Sequence, residues 1–438
     1  MAELSFTPSD DVAILLNALL DVFERRQFPS PTGEKGLGVR GEYRLIKYYL
    51  HDLELPNYFS QVDPDPRRIA NDQLQIMERN GWLDLIWQPG ENGHLLEGVA
   101  MHPECAPHLF KLLVRIPHSQ KRAQLSDLIL GENFRFQGDW RQRAIRHILT
   151  QIKNGNSPAP FSLADYHFNE DLLAALAALD TVTKETPYRA YSVRLFNNSK
   201  RLEELKGALV RLARIGQHTW RELSAQDVLR ELNLVPNPDY IYLSGPWHLV
   251  DDLGQMISLG EFSPSVGIPA AQAARLQRVT VHASEVICVE NPTAFHELNR
   301  GKSPSVATLC LWGNPSPACR HLLNRLADNL AKDIPLQVWA DLDYGGFNIL
   351  AMLRKYVSAR FEPYRMDVET LENHSLRAHP LTRRDEQNLK RISHHPILAD
   401  AEPVIQHMLQ RGLKLEQEAI EILPAQIAQS TVSGAATI

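Results

Sequence analysis

The chain of 438 residues has only four cysteines, Cys105, Cys288, Cys310 and Cys319, and no two of them form a CxxC pair. That argues against a disulfide framework and a cysteine-ligated zinc site, and suits reduced thiols in a cytoplasmic protein. Long apolar runs are also missing: none approaches the roughly 18 residues of a membrane span, so no membrane association is expected. The N-terminal "MAELSFTPSDD" has no basic segment followed by an apolar core, which speaks against a signal peptide. Internal repeats and low-complexity tracts are lacking too. An overall positive charge is not there either: the net charge is −6 and the pI about 6.3, which argues against a protein wholly coated by nucleic acid. What remains is ordinary globular material, 44% hydrophobic and 22% charged, long enough for two to four domains with their own cores.

The charge is uneven. Arg115, Lys121, Arg122, Arg135, Arg141, Arg143 and Arg146 lie between Lys111 and Lys153 with few acids among them. A second basic stretch holds Arg189, Arg194, Lys200, Arg201, Lys206, Arg211 and Arg214. Either could meet phosphates, and either could equally be a solvated helix face.

Helical spacing of Val12, Leu15, Leu16, Leu19 and Leu20 predicts a helix over 8–26. A second helix is expected over 43–53 and a third over 66–80, ended by Gly81. "WLDLIWQPGENGHLLEGVAMH" then reads as a β-hairpin around a turn-rich tip. Helices followed by a hairpin predict a winged-helix-like N-terminal domain over 1–115. That type of module contacts either DNA or protein. Residues 116–235 read as a helical middle region or arm. "GEFSPSVGIP", with its prolines and glycines, reads as a loop.

From residue 279 strands and helices alternate: "SEVICVE", "PTAFHELNR", "SVATLCLWG", "PACRHLLNRLADNLA", "PLQVWADLD" and "GFNILAMLRKYV". This pattern predicts βαβ units and a parallel, Rossmann-like sheet within an α/β domain over 236–425, with a loose tail over 426–438. Ligands of open parallel sheets sit at the carboxyl ends of the strands. Glu290 ends one strand, Asp341 ends another, and Asp343 follows in the loop. If the two strands are neighbours, three carboxylates converge, a costly arrangement unless protons or a cation relieve it. Asp-x-Asp before Gly345, Gly346 and a helix is also compatible with a turn and an N-cap. The matching glutamate on a separate strand end tips the reading towards a site for Mg²⁺ or Mn²⁺, whose hard oxygen chemistry needs only a few carboxylates.

"VICVENPTAF" followed by "VWADLDYGG" resembles the Toprim domain. The likeness is strongest to the topoisomerase VI A-subunit group and to the JetD nuclease subunits of Wadjet plasmid defence. "RLFNNSKRLEEL", "YIYLSGPW", "VENPTAF" and "KLEQE" look like JetD. The resemblance covers the chain from the N-terminal region to Glu418. It implies an α/β Toprim-like catalytic domain and a homodimeric, Mg²⁺- or Mn²⁺-dependent DNA endonuclease in the bacterial cytoplasm. Its DNA would be small, circular and double-stranded, and its recruiter an SMC/kleisin condensin-like, JetABC-like complex. By motif position, Glu290 would be the acid/base or a metal-linked carboxylate, and Asp341 and Asp343 the metal ligands.

Competing readings come from other classes. Topoisomerase VI relatives attack with a tyrosine, which would make Tyr48 or Tyr49 the nucleophile of a transesterase; packing within a helix is the reading preferred here. A non-catalytic adaptor binding DNA or an SMC partner is the third reading, opposed by the acidic triad. Glu416 and Glu418 could add a ligand but read as a solvated helix face. His374, His379, His394 and His395 lack zinc-site spacing. Arg320 reads as a helix-surface arginine rather than a phosphate ligand.

Overall fold

The computed structural model describes residues 6–27, 45–50, 55, 57–131, 136 and 139–420. The chain divides into two compact units, residues 1–177 with 211–218, and residues 178–210 with 219–438.

The first unit begins with α1 (Asp10–Gln27), whose Val12, Leu15, Leu16, Leu19 and Leu20 are all buried, as a single apolar helix face requires. Then come β1 (Ile46–Tyr49), α2 (Asp65–Arg79), β2 (Asp84–Trp87) and β3 (Leu96–Met101). The three strands form one antiparallel sheet in the order β1-β3-β2. The expected hairpin is present, and its tip turns through Gly90 and Gly93 at φ +83° and +78°. The expected helix over 43–53 is corrected. Residues 46–49 are a strand paired with β3, and 43–44 and 51–53 lie outside the described residues. "IKYY" is β-branched and aromatic, and cross-strand pairing with 98–101 outweighs its weak helical spacing. Four helices follow, α3 (Ala106–Leu112), α4 (His118–Leu130), α5 (Trp140–Lys153) and α6 (Tyr166–Ala178).

The second unit starts with β4 (Thr186–Pro187), α7 (Tyr188–Phe196), α8 (Arg201–Gly216, partly shared with the first unit), α9 (Ala225–Glu231) and β5 (Leu234–Val235). It continues through β6 (Tyr240–Ser244), β7 (Trp247–Val250), β8 (Met256–Ser258), β9 (Val266–Pro269), α10 (Ala270–Ala273) and β10 (Arg278–Val281). Next come β11 (Glu285–Val289), α11 (Pro292–Gly301), β12 (Val306–Cys310), α12 (Pro317–Ala327), β13 (Leu336–Trp339), α13 (Tyr344–Tyr356) and β14 (Phe361–Pro363). The described part ends with α14 (Val368–Asn373), β15 (His379–Pro380), α15 (Arg383–Ile392), α16 (Glu402–Arg411) and β16 (Leu413–Lys414). The expected tail, 426–438, lies outside the described residues.

Six strands make the main sheet, in the order β14-β13-β11-β12-β6-β9. β14, β13, β11 and β12 run parallel, whereas β6 and β9 are antiparallel additions, so the fold is mixed α/β. β9 corrects the loop reading of "GEFSPSVGIP": residues 266–269 pair with β6 along its length. β11 and β12 are buried on both faces, hence their near-continuous apolar sequence. Pro292 and Pro317 open α11 and α12 at helix-start positions, where a missing N–H costs nothing. All four cysteines are free, and three of them are buried.

Candidate active site

β11 and β13 are parallel neighbours, with Val289 opposite Trp339. Their ends are therefore level, and the residues just beyond meet. The Glu290 N–H donates to the Trp339 carbonyl (2.9 Å), and the Asp341 N–H donates to Glu290 Oε2 (3.2 Å). Asp343 caps α13, its Oδ1 accepting from the Gly346 N–H (2.9 Å). A Cβ on Gly346 would lie 2.0 Å from the Asp341 carbonyl oxygen, so only glycine lets the helix start this close to the strand end. Cap and site are therefore not alternatives: Asp343 uses one carboxylate oxygen for the turn.

The third wall is a segment far along the chain. Leu415 exchanges two backbone hydrogen bonds with Leu342, at 2.9 and 3.2 Å. Two residues later, the Gln417 N–H donates to Asp341 Oδ1 (2.7 Å). The Gln417 side chain donates through Nε2 to the Trp339 carbonyl (3.1 Å) and accepts through Oε1 from the Asn291 N–H (3.1 Å). Asn291 caps α11 and donates from Nδ2 to Glu418. The helical reading of Glu416 and Glu418 is corrected: a short strand and a single tight turn, Gln417–Ala419, bring them beside Asp341.

The electrostatics follow from crowding. Burial pushes the Glu290 carboxyl up to about 8, helped by the charges of Asp341, Asp343 and Glu418. Burial also raises Asp341, to about 6, with Asp343, Glu418 and Glu416 adding to the rise and the Gln417 N–H opposing it. Among the described residues, no three His, Cys, Asp or Glu side chains stand close enough to hold a metal ion as they are. Each of Glu290, Asp341 and Asp343 nevertheless keeps one carboxylate oxygen without a hydrogen bond among the described residues. A cleft of about 640 Å³ opens beside Glu290 and Asp343, lined also by Arg230, Trp312, Arg384 and Asn388.

The remaining sequence candidates fall elsewhere. Tyr48 and Tyr49 sit on β1, a strand rather than the expected helix. Arg320 is neither a surface arginine nor open to a phosphate, because Glu231 grips its guanidinium at 2.6 and 2.9 Å. His374, His394 and His395 are engaged by the Thr370 carbonyl, Glu402 and the Ile397 N–H respectively. Of the first basic stretch, Arg115 is bound by Asp21 and Glu24, Arg122 by the Gly155 carbonyl, and Arg143 by the Gly216 carbonyl. Sequence reasoning missed Asn291 and Gln417. Their only signal was that "VENPTAF" and "KLEQE" stood out by resemblance.

Carboxylates gathered at the carboxyl edge of neighbouring parallel strands define the class: a mixed α/β protein with an acidic site at the sheet edge. Residues 252–428, which contain this site and the segment closing it, match the family described as the C-terminal region of Wadjet protein JetD. Wadjet protein JetD of Bacillus cereus (strain Q1) is 22% identical to the chain over 414 residues, covering 93% of this chain and 97% of that relative. The likeness to JetD read from the residues is thus shown over nearly the whole length. No helix among the described residues is long and apolar enough to cross a membrane.

Proposed function

We propose that the chain is the nuclease subunit of a Wadjet defence system, a metal-dependent endonuclease of Toprim type that cuts double-stranded circular DNA. The observation that carries this is the meeting of Glu290, Asp341 and Asp343 at the ends of β11 and β13. Such a cluster is expensive to bury uncompensated, and an α/β core has no structural use for it. The donor set suits a hard divalent cation. Mg²⁺ commonly takes one or two carboxylates and fills its other positions with water and substrate phosphate, so a closed cage of three side chains is not required.

Asp341 and Asp343 would hold Mg²⁺ or Mn²⁺, with Glu290 joining them or managing the proton. The ion would supply neutralisation of the developing charge on the scissile phosphate. Burial and the neighbouring carboxylates raise Glu290 to about 8 in the metal-free chain, a cost that a bound cation would relieve. Asp343 ties the site to the start of α13, and Gly346 lets the helix approach. The neighbouring cleft would admit the DNA backbone, with Arg384 on its wall as a phosphate partner.

Under the same proposal, residues 1–115 serve as a winged-helix-like contact module. The chain works as a homodimer in the bacterial cytoplasm, beside an SMC/kleisin condensin-like complex that delivers the DNA. The three-part division into 1–115, 116–235 and 236–425 belongs to this reading.

The test is incubation of supercoiled plasmid with Mn²⁺ and the full chain, with and without the SMC partners. Wild type should linearise or nick the plasmid, and Asp341→Ala and Glu290→Gln should each lower the rate at least about 100-fold. Undiminished cutting by folded variants would overturn the proposal.

A further inference from the structure

The chain's two motifs "VEN" and "EQE" lie 127 positions apart at Asn291 and Glu418, yet they are joined side chain to side chain. Gln417 is the centre of this junction. It is 1% exposed, among the few polar residues so deeply buried. Its amide spans both strand ends, giving a hydrogen bond to the Trp339 carbonyl and taking one from the Asn291 N–H. Those partners immediately precede and follow the site: Asn291 is next to Glu290, and Trp339 lies two residues before Asp341. The backbone of the same residue then donates to Asp341 Oδ1. The segment is held independently by Leu415 pairing with Leu342 and by β16 pairing with β15. A surface segment needing only anchorage could use apolar side chains, as Leu415 and Ile420 do, both buried. A buried amide with both ends satisfied fixes a distance as well as a contact.

We infer that Gln417 is a positioning residue: it sets the separation of the β11 and β13 ends and aims the Asp341 carboxylate at a shared cation. The inference rests on the metal-site reading above. With Asp341 Oδ1 held by the Gln417 N–H, the other carboxylate oxygen would be left for the ion. Outer partners of this kind commonly change metal affinity by about 10–100-fold when removed.

The experiment is a calorimetric titration of the metal-free full chain with Mn²⁺, without DNA, alongside thermal melting and plasmid cleavage over a range of Mn²⁺. Gln417→Met keeps the length and loses both side-chain hydrogen bonds. It should weaken Mn²⁺ binding about 10–100-fold, and high Mn²⁺ should restore cleavage towards the wild-type rate. Asn291→Ser keeps an oxygen to cap α11 and removes the donor to Glu418. It should weaken binding in the same direction by less, and it carries the test if Gln417→Met does not fold. Wild-type Mn²⁺ affinity in the folded variants overturns the positioning role and leaves the nuclease proposal standing. Weakened binding in the variants, with no cleavage even by wild type and its partners, supports positioning and overturns the nuclease. No Mn²⁺ binding by wild type overturns both.

Discussion

At Gly346 the approach of α13 to the end of β13 depends on a missing methyl group. Alanine there would put its Cβ 2.0 Å from the Asp341 carbonyl oxygen, against backbone that cannot swing aside. Gly346→Ala should therefore destabilise the chain by roughly 1–3 kcal/mol, read as a lower denaturation midpoint with an unchanged slope. Titration supplies a second prediction at this scale. Glu290 and Asp341 have ordinary values of 4.5 and 3.8 and stand near 8 and 6 in the folded chain. Between these limits the folded chain binds more protons than the unfolded one, so stability falls as pH rises. Their contribution is full below about pH 4 and lost once pH passes through the raised values. In EDTA, the melting temperature should drop from pH 5 to pH 8 more steeply for wild type than for Glu290→Gln. Equal slopes would show that the crowding of the carboxylates carries no energetic weight.

At the scale of elements, α9 and α12 are clamped by Arg320 and Glu231, whose side chains are 13% and 17% exposed. Arg320 also lies over the Tyr356 ring. Charge-assisted bonds in such semi-buried settings contribute about 1.5–3 kcal/mol. Arg320→Ala should cost about that much stability, and a double-mutant cycle with Glu231→Gln should show the two losses to be strongly non-additive. β1 makes a different prediction. Tyr48→Phe and Tyr49→Phe should cut plasmid at the wild-type rate and leave no difference in covalent protein–DNA adduct, whereas a transesterase would lose its adduct in one of them. The strands and helices from 285 to 356 were legible because each apolar run is bounded by a residue with a local job: Asn291 and Ser316 as caps, Pro292 and Pro317 at helix starts, Gly345 and Gly346 in the first turn of α13. β1 and β9 were not, because these two strands owe their existence to partners elsewhere, β3 and β6, rather than to their own pattern. The same holds for the site. Glu290, Asp341 and Asp343 announce themselves at strand ends, but Gln417 acquires its role only when a segment 76 residues beyond Asp341 returns to it.

For the whole molecule, charge decides how DNA would be met. The first basic stretch is largely consumed by internal partners, while Arg194, Lys200, Lys206 and Arg211 of the second are exposed. Each phosphate neutralised contributes about −0.9 to the slope of log affinity against log salt. Lys206→Glu should weaken metal-free binding to linear duplex and make that slope shallower by about one, as followed by fluorescence anisotropy. No change in slope would place the DNA on another face.

The central claim is that carboxylates from two strand ends share one divalent cation, and its most direct test is Mn²⁺ binding to the full chain by calorimetry. The account predicts a site in the wild type that Glu290→Gln and Asp341→Asn each weaken severely, although the two residues come from different strands. Binding that survives unchanged in either folded variant would contradict it.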